Sequence, residues 1–108
     1  MFWFENRDAI ERTEFTPIQC YSAAKKIERL LGDEWLVKQL KYLQPERHPI
    51  ARMWQQTGVS SILEFLVLAN DLEILEGIKG FKWLLEDLKD TKRYEASKHE
   101  AHIADKLN

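Results

Sequence analysis

The fold is decided by residues 61–76, SILEFLVLANDLEILE. Ten of these sixteen residues are apolar, and they fall on nearly every side of a helix with 3.6 residues per turn. A helix that is apolar nearly all round is typical of the centre of a bundle. The run is longer than a normal strand and contains no turn signal. The sequence therefore predicts a buried central helix, begun by a capping box from Ser61 to Glu64.

The segment before this run contains a second helix with a clear start and a clear end. Thr16 can cap it, Pro17 suits its first position, and Gln19 can close a capping box with Thr16. Apolar residues then recur at helical spacing as far as Leu31. Gly32 follows them and is the expected end of this helix.

The remaining segments predict further short helices. Asp33 is expected to cap one helix, and Pro49 to begin another after a loop over residues 44–48. Two more are expected after Gly80 and over about residues 91–108. No segment alternates with a period of two, so no sheet is expected. The predicted fold is all-α, a single domain of about five to six short helices around the central one.

The composition is that of one globular domain. The chain has 108 residues, of which 44% are hydrophobic and 11% aromatic. Its 16 basic and 18 acidic residues give a net charge of −2, and no segment is strongly basic. Because non-specific binding to nucleic acid is driven by basic surfaces, the charge disfavours a nucleic-acid partner.

Nothing in the sequence points to export or to a membrane. Cys20 is the one cysteine, so no internal disulfide can form. The apolar residues 1–4 are followed at once by charges, unlike a signal peptide. The longest apolar run, Ile62 to Ala69, is interrupted by Glu64 and is shorter than the ~20 residues of a membrane span. A cytoplasmic location without a membrane partner is expected.

Three aromatic residues at the N-terminus, Phe2, Trp3 and Phe4, are candidate partner-binding residues. A terminus is usually mobile unless it is tied down, so these side chains must pack on this domain or on a neighbour. A protein partner or a second copy of the chain is the expected neighbour.

The densest group of potential metal ligands is on the last predicted helix. Glu95 and His99 are four residues apart, and His99 and His102 are three apart, so all three can project from one face. Two histidines and a carboxylate are ligand types for zinc or non-haem iron. The spacing differs from the HExxH arrangement, and a solvent-facing polar stripe explains the same residues. They are candidate ligands, but no metal or other cofactor is predicted.

No catalytic residue is assigned. His48 lies in a loop without a nucleophile signature, and Cys20 lies on the apolar side of its helix. A helix-turn-helix over residues 49–70 is disfavoured, because its recognition helix would be apolar. Residues 21–43, which contain several lysines, remain a weaker candidate for that motif.

Residues 93–107, RYEASKHEAHIADKL, resemble the helix at the start of nuclease-like domains of the PD-(D/E)xK type. The resemblance rests on an aromatic–Glu pair, a second acidic residue and an Ala/Leu-rich face. It implies that Glu95 or Glu100 is the family's acidic position. The family's catalytic sheet has no counterpart in this chain. The resemblance therefore implies the helical N-terminal region of a longer bacterial protein and not a working nuclease.

The expected function is that of a non-catalytic helical interaction or accessory domain. The last helix pattern is still running at Asn108, so it is expected to continue into a downstream domain. Two alternatives stay open. One is a nucleic-acid-associated helper of a nuclease-like module, and the other is a small metal-dependent enzyme that uses Glu95, His99 and His102.

Overall fold

The computed structural model describes residues 2–43 and 47–107. These residues form a 3₁₀ helix and seven α-helices without a strand, which confirms the predicted all-α bundle. The 3₁₀ helix is Trp3–Glu5, and the α-helices are α1 (Arg7–Arg12), α2 (Pro17–Leu31), α3 (Asp33–Leu40), α4 (Pro49–Trp54), α5 (Val59–Leu75), α6 (Phe81–Lys89) and α7 (Tyr94–Leu107). Of the predicted 44–48 loop, residues 44–46 lie outside the described part of the chain. None of the described helices is long and apolar enough to cross a bilayer.

Helix α5 is the centre of the bundle, as the apolar run predicts. It packs chiefly against α2 on one side and α7 on the other. Ile62, Phe65, Leu68 and Leu72 of α5 are almost completely removed from solvent. Burying side chains of this size stabilises the fold by about 1.5–3 kcal/mol each before the entropy of ordering is subtracted. The position of α5 therefore fixes where its neighbours lie.

The signals around α2 are confirmed. The Thr16 side chain accepts a hydrogen bond from the Gln19 backbone N–H at 3.1 Å. The Gln19 side chain accepts one from the Thr16 N–H at 2.8 Å, which completes the capping box. Gly32 ends the helix with a φ of +94°, a conformation that L side chains rarely adopt. Pro49 begins α4 as predicted.

Two predicted helix starts are wrong. Helix α5 begins at Val59, two residues earlier than expected, and Ser61 does not cap it. The Ser61 hydroxyl instead donates to the Gln56 side chain at 2.9 Å. Asp33 is not a cap either, because Gly32 already occupies the capping position and Asp33 is the first residue of α3. In both places a glycine, Gly58 or Gly32, occupies the capping position in place of the predicted polar residue.

The two ends of the chain also differ from expectation. The last helix begins at Tyr94 rather than about residue 91, and Asn108 lies outside the described residues. At the other end, the short α1 was not expected from the charged residues that follow Phe4. The side chain of Asn6 caps α1 by accepting from the Ala9 N–H, and it also donates to the Thr57 carbonyl at 2.8 Å. This second bond ties the N-terminus to the segment before α5.

Trp3 is the anchor of the N-terminal segment. Its side chain is completely buried, and its ring stacks on that of Phe65 with centroids 4.8 Å apart. The ring of Trp54 meets Trp3 edge-on at 6.0 Å. Such aromatic pairs add about 0.5–1.5 kcal/mol to the burial of the rings themselves. The first residues of the chain are therefore part of the core.

We expect Trp3→Ala to lower the free energy of unfolding by about 3–5 kcal/mol, because it leaves a large cavity against Phe65. Trp83→Ala is the matched control, since the Trp83 side chain is 71% exposed. It should change stability by less than about 0.5 kcal/mol. Urea unfolding followed by circular dichroism measures both values. Equal effects of the two substitutions would contradict the placement of Trp3 in the core.

Candidate functional site

A groove of about 680 Å³ runs along the central helix, between α2 and α7. Its floor and walls are mostly apolar, while one end carries ionisable side chains. The apolar part includes Phe15, Ile18, Leu63, Leu66 and Val67, and the ionisable end includes Asp71, His102 and Asp105. A concave apolar surface with a few polar groups at one point is the usual form of a binding site.

The groove exists because α5 is not covered on every side. The exposed fractions of Leu63 and Val67 are 39% and 46%, although these residues belong to the most apolar helix of the bundle. The prediction that neighbouring helices cover α5 all round is therefore wrong for this one stripe. On the α2 side of the groove, Ile18 projects into solvent with 78% of its surface exposed. We call Ile18, Leu63 and Val67 the groove face.

Three ionisable side chains meet at the polar end of the groove. Asp71 projects from α5, whereas His102 and Asp105 lie one turn apart on α7. The His102 Nδ1 atom is 3.0 Å from Asp71 Oδ2. One nitrogen or oxygen atom from each of the three side chains lies within 4.8 Å of the others. The packing of α7 on α5 therefore assembles one imidazole and two carboxylates at one point.

Asp71 is the unusual member of this cluster. Only 1% of the residue is exposed, and its Oδ1 atom is buried without a hydrogen-bond partner. The pKa of Asp71 is raised from 3.8 to about 6, chiefly by burial and also by the neighbouring Asp105 carboxyl, while His102 acts in the opposite direction. The carboxylate form is thus costly in this position, because no described group fully compensates its charge.

The structure does not assemble the predicted metal ligands Glu95, His99 and His102 into one cluster. Among the described residues, His102 is grouped with the carboxylates of Asp71 and Asp105 instead. Glu95 is paired with Lys98 at 3.3 Å, and Lys98 also contacts Glu64 of α5. His102 is the one sequence-predicted candidate that belongs to this cluster, and its role as a ligand stays a prediction. Asp105 lies on the same helix, three residues after His102, whereas Asp71 could not be found from α7 alone because it comes from another helix.

A second, more open groove adjoins the first along α5 and α7. It has a volume of about 560 Å³ and is lined by Glu95, Lys98, His99 and His102 among others. Asp71 and His102 line both grooves, as do Leu63 and Val67. These residues therefore lie where the two grooves meet.

The N-terminal aromatic residues pack on their own domain. Trp3 is buried, and the rings of Phe2 and Phe4 stack on each other at the edge of the core with centroids 5.8 Å apart. The contact that Trp3 makes is thus internal, which is one of the two arrangements expected for these residues. Partner binding through the half-buried Phe2 and Phe4 stays a prediction.

The other residues that carry potential chemistry are buried in structural roles. His48 is completely buried, and its Nδ1 atom accepts from the Ile50 N–H at 3.0 Å. Its Nε2 atom lies 2.9 Å from the Leu88 carbonyl oxygen. Burial lowers the pKa of His48, and burial also raises the pKa of the Cys20 thiol. A buried thiol with a raised pKa is a poor nucleophile.

The lysine-rich segment over residues 21–43 does not present an unpaired basic surface on α2. Three of its basic residues form ion pairs with glutamates of α2 or at the end of α5. These pairs are Lys25–Glu28 at 3.6 Å, Lys26–Glu73 at 3.5 Å and Arg29–Glu76 at 3.1 Å. The acidic partners reduce the positive potential that binding to phosphates would require.

Comparisons of the chain with protein-family models, with curated proteins and with solved structures found no match. Residues 94–107 of the segment that resembles nuclease-like domains form α7, and both Glu95 and Glu100 are exposed on it. The resemblance itself stays a prediction.

We expect Asp71→Asn to alter how stability depends on pH. With a carboxyl pKa of about 6 in the folded state and an ordinary value of 3.8, the folded protein holds this proton more tightly. The wild type should therefore lose about 2–3 kcal/mol of stability as the pH rises from roughly 4 to 7. Asn cannot ionise, so the variant should not show this loss.

The measurement is urea unfolding of both proteins, with a chelator present, over that pH range. The difference between the two curves removes the titrations of groups that do not interact with Asp71, including that of His48. Asp33→Asn, at an exposed position, is the control and should leave the pH dependence unchanged. A constant difference between wild type and Asp71→Asn would contradict the burial of this charge.

Proposed function

We propose that this chain is a non-catalytic helical interaction domain that binds a second copy of itself through the groove face. The observation that carries the proposal is the uncovered stripe of the central helix, where Leu63 and Val67 stay exposed. Apolar surface gathered at one place on a small domain is typical of a protein-binding surface. The surrounding apolar residues of the groove extend it.

The shape of the groove face supports a second copy as the partner. Ile18 is a protruding apolar side chain, and it stands beside a recess floored by Leu66 and Val67. In a two-fold symmetric pair, the protrusion of each copy meets the recess of the other. One surface then supplies both halves of the contact. A helix from a different protein would need only the recess.

This proposal moves the contact surface away from the N-terminal aromatic residues. Trp3 cannot bind a partner without leaving its stack on Phe65. Deleting residues 1–5 would remove this core contact as well as any partner contact. Substitutions on the groove face are therefore the sharper test.

The two alternative functions have less support. The ion pairs of α2 reduce the positive potential that this helix offers to a nucleic-acid partner. A metal-dependent enzyme that uses Glu95, His99 and His102 would need these side chains to converge, and the described cluster around His102 has other members. No observation favours either alternative over the interaction domain.

We expect the wild type to have the mass of a dimer at high concentration, and Val67→Glu to shift it towards the monomer. The new charge would lie in the apolar recess, and burying it against a partner is unfavourable. Multi-angle light scattering after size-exclusion chromatography, over a series of loading concentrations, measures the mass.

Val37→Glu is the matched control. Val37 is a helical valine with 52% exposure against 46% for Val67. Each has two acidic residues within one helical turn, namely Asp33 and Glu34 for Val37 and Glu64 and Asp71 for Val67. The control should keep the wild-type mass. A monomeric wild type at every concentration would overturn self-association and leave a different protein as the partner.

A further inference from the structure

The cluster at the polar end of the groove has the composition and shape of a metal site. His102 and Asp105 project from successive turns of α7, and Asp71 faces them from α5. Sites in helical bundles are commonly built in this way, from side chains on facing helices. The cluster also lines the groove, so an ion can reach it from solvent.

Asp71 itself indicates that a cation belongs here. Its side chain is 2% exposed, and its Oδ1 atom has no hydrogen-bond partner among the described residues. Buried carboxylates are normally paired with a cation or hydrogen-bonded at both oxygens. His102 satisfies only one oxygen, and Asp105 brings a second negative charge. The arrangement thus gathers negative charge where a positive one would be stabilised.

The nearest basic side chain of α2 is already engaged. Lys26 lines the same groove, but its Nζ atom lies 3.5 Å from Glu73 and 3.7 Å from Glu76. It therefore shares its charge with two other carboxylates.

We propose that Asp71, His102 and Asp105 bind a divalent first-row transition-metal ion of the zinc class. One imidazole nitrogen with two carboxylate oxygens suits these ions, whereas Mg²⁺ and Ca²⁺ prefer sites made of oxygen alone. Ligand atoms around an ion with bonds of about 2.0–2.2 Å lie roughly 3 Å apart. The 3.0 Å between His102 Nδ1 and Asp71 Oδ2 meets this requirement. The third ligand, the carboxylate of the more exposed Asp105, closes the site with a small movement.

The ion would link α5 to α7. It would neutralise the buried charge of Asp71, and three protein ligands would leave its remaining positions to solvent in the groove. The site does not depend on self-association, because all three ligands come from one chain. Its failure and the failure of the proposed dimer are therefore separate outcomes.

The experiment uses the full chain without an affinity tag, freed of metal with a chelator and then dialysed. Zn²⁺ is titrated by calorimetry at about pH 7.5, where carboxylates and imidazole are available as ligands. We expect one ion per chain and a rise in melting temperature. Co²⁺, which reports its ligands by visible absorption, should give a spectrum that Zn²⁺ abolishes.

The decisive comparison is between two histidines of α7. His102→Ala should weaken Zn²⁺ binding by about tenfold or more, since it removes a ligand. His99→Ala is the matched control, because this exposed histidine lies on the same helix and outside the cluster. It should bind as the wild type does. Asp105→Asn provides a second ligand variant, and far-ultraviolet circular dichroism confirms that each variant is folded.

Three results would overturn the site. The first is a wild type that binds no Zn²⁺ at concentrations of about 100 µM, a level at which protein zinc sites are saturated. The second is an equal loss of Zn²⁺ binding in His99→Ala and His102→Ala, which would show that the ion is bound by both histidines of α7 and not by the proposed cluster. The third is a preference for Mg²⁺ or Ca²⁺ over Zn²⁺, which would exclude the imidazole as a ligand.

Discussion

Burial of α5 between α2 and α7 is the interaction on which the rest of this structure depends. The residues of α5 that face these helices, among them Phe65, Leu68 and Leu72, provide the centre of the hydrophobic core. Short helices have little stability of their own, so α1, α3 and α4 depend on contacts with the larger assembly. The N-terminal segment obeys the same constraint, because Trp3 is fixed by its stack on Phe65.

The same packing also produces the most distinctive features of the surface. The helices packed on α5, chiefly α2 and α7, leave one stripe of it open, and this stripe lines a groove. Near the end of that stripe, the approach of α7 buries Asp71 and brings His102 and Asp105 to it. An apolar contact surface and a cluster of ionisable groups therefore arise from one helix arrangement. The apolar surface supports the proposed interaction, and the cluster supports the proposed metal site.

Local features were predictable from the sequence, and features that depend on distant packing were not. The capping box of Thr16 and Gln19 was found because both partners lie within one turn. The similar pattern from Ser61 to Glu64 misled, since Ser61 bonds back to Gln56 and Glu64 contacts Lys98 from α7. A sequence pattern shows that two side chains can form a hydrogen bond. It does not show which of several possible partners each side chain binds in the folded protein.

The candidate site illustrates the same limit. Asp71 was not among the candidate ligands, yet it shares the buried face of α5 with Leu68 and Leu75, three residues before it and four after it. That spacing was a usable signal. His102 was a candidate ligand, and its neighbour Asp105, three residues later on the same helix, was within reach of a spacing argument. Asp71 was not, because the pairing of α5 with α7 is not contained in the spacing of any one segment.

The buried His48 has a consequence for the behaviour of the whole fold in acid. Because its Nδ1 atom accepts from the Ile50 N–H, the ring proton must sit on Nε2, where it is donated to the Leu88 carbonyl. A second proton would occupy Nδ1 and break the bond that begins α4. Burial lowers the pKa of His48, so the unfolded chain takes up that proton more readily than the native one. Acidification below the ordinary imidazole value of about 6.5 therefore weakens the start of α4. The bond from Nε2 to the Leu88 carbonyl does not need to break, because both ring nitrogens of a protonated histidine are donors.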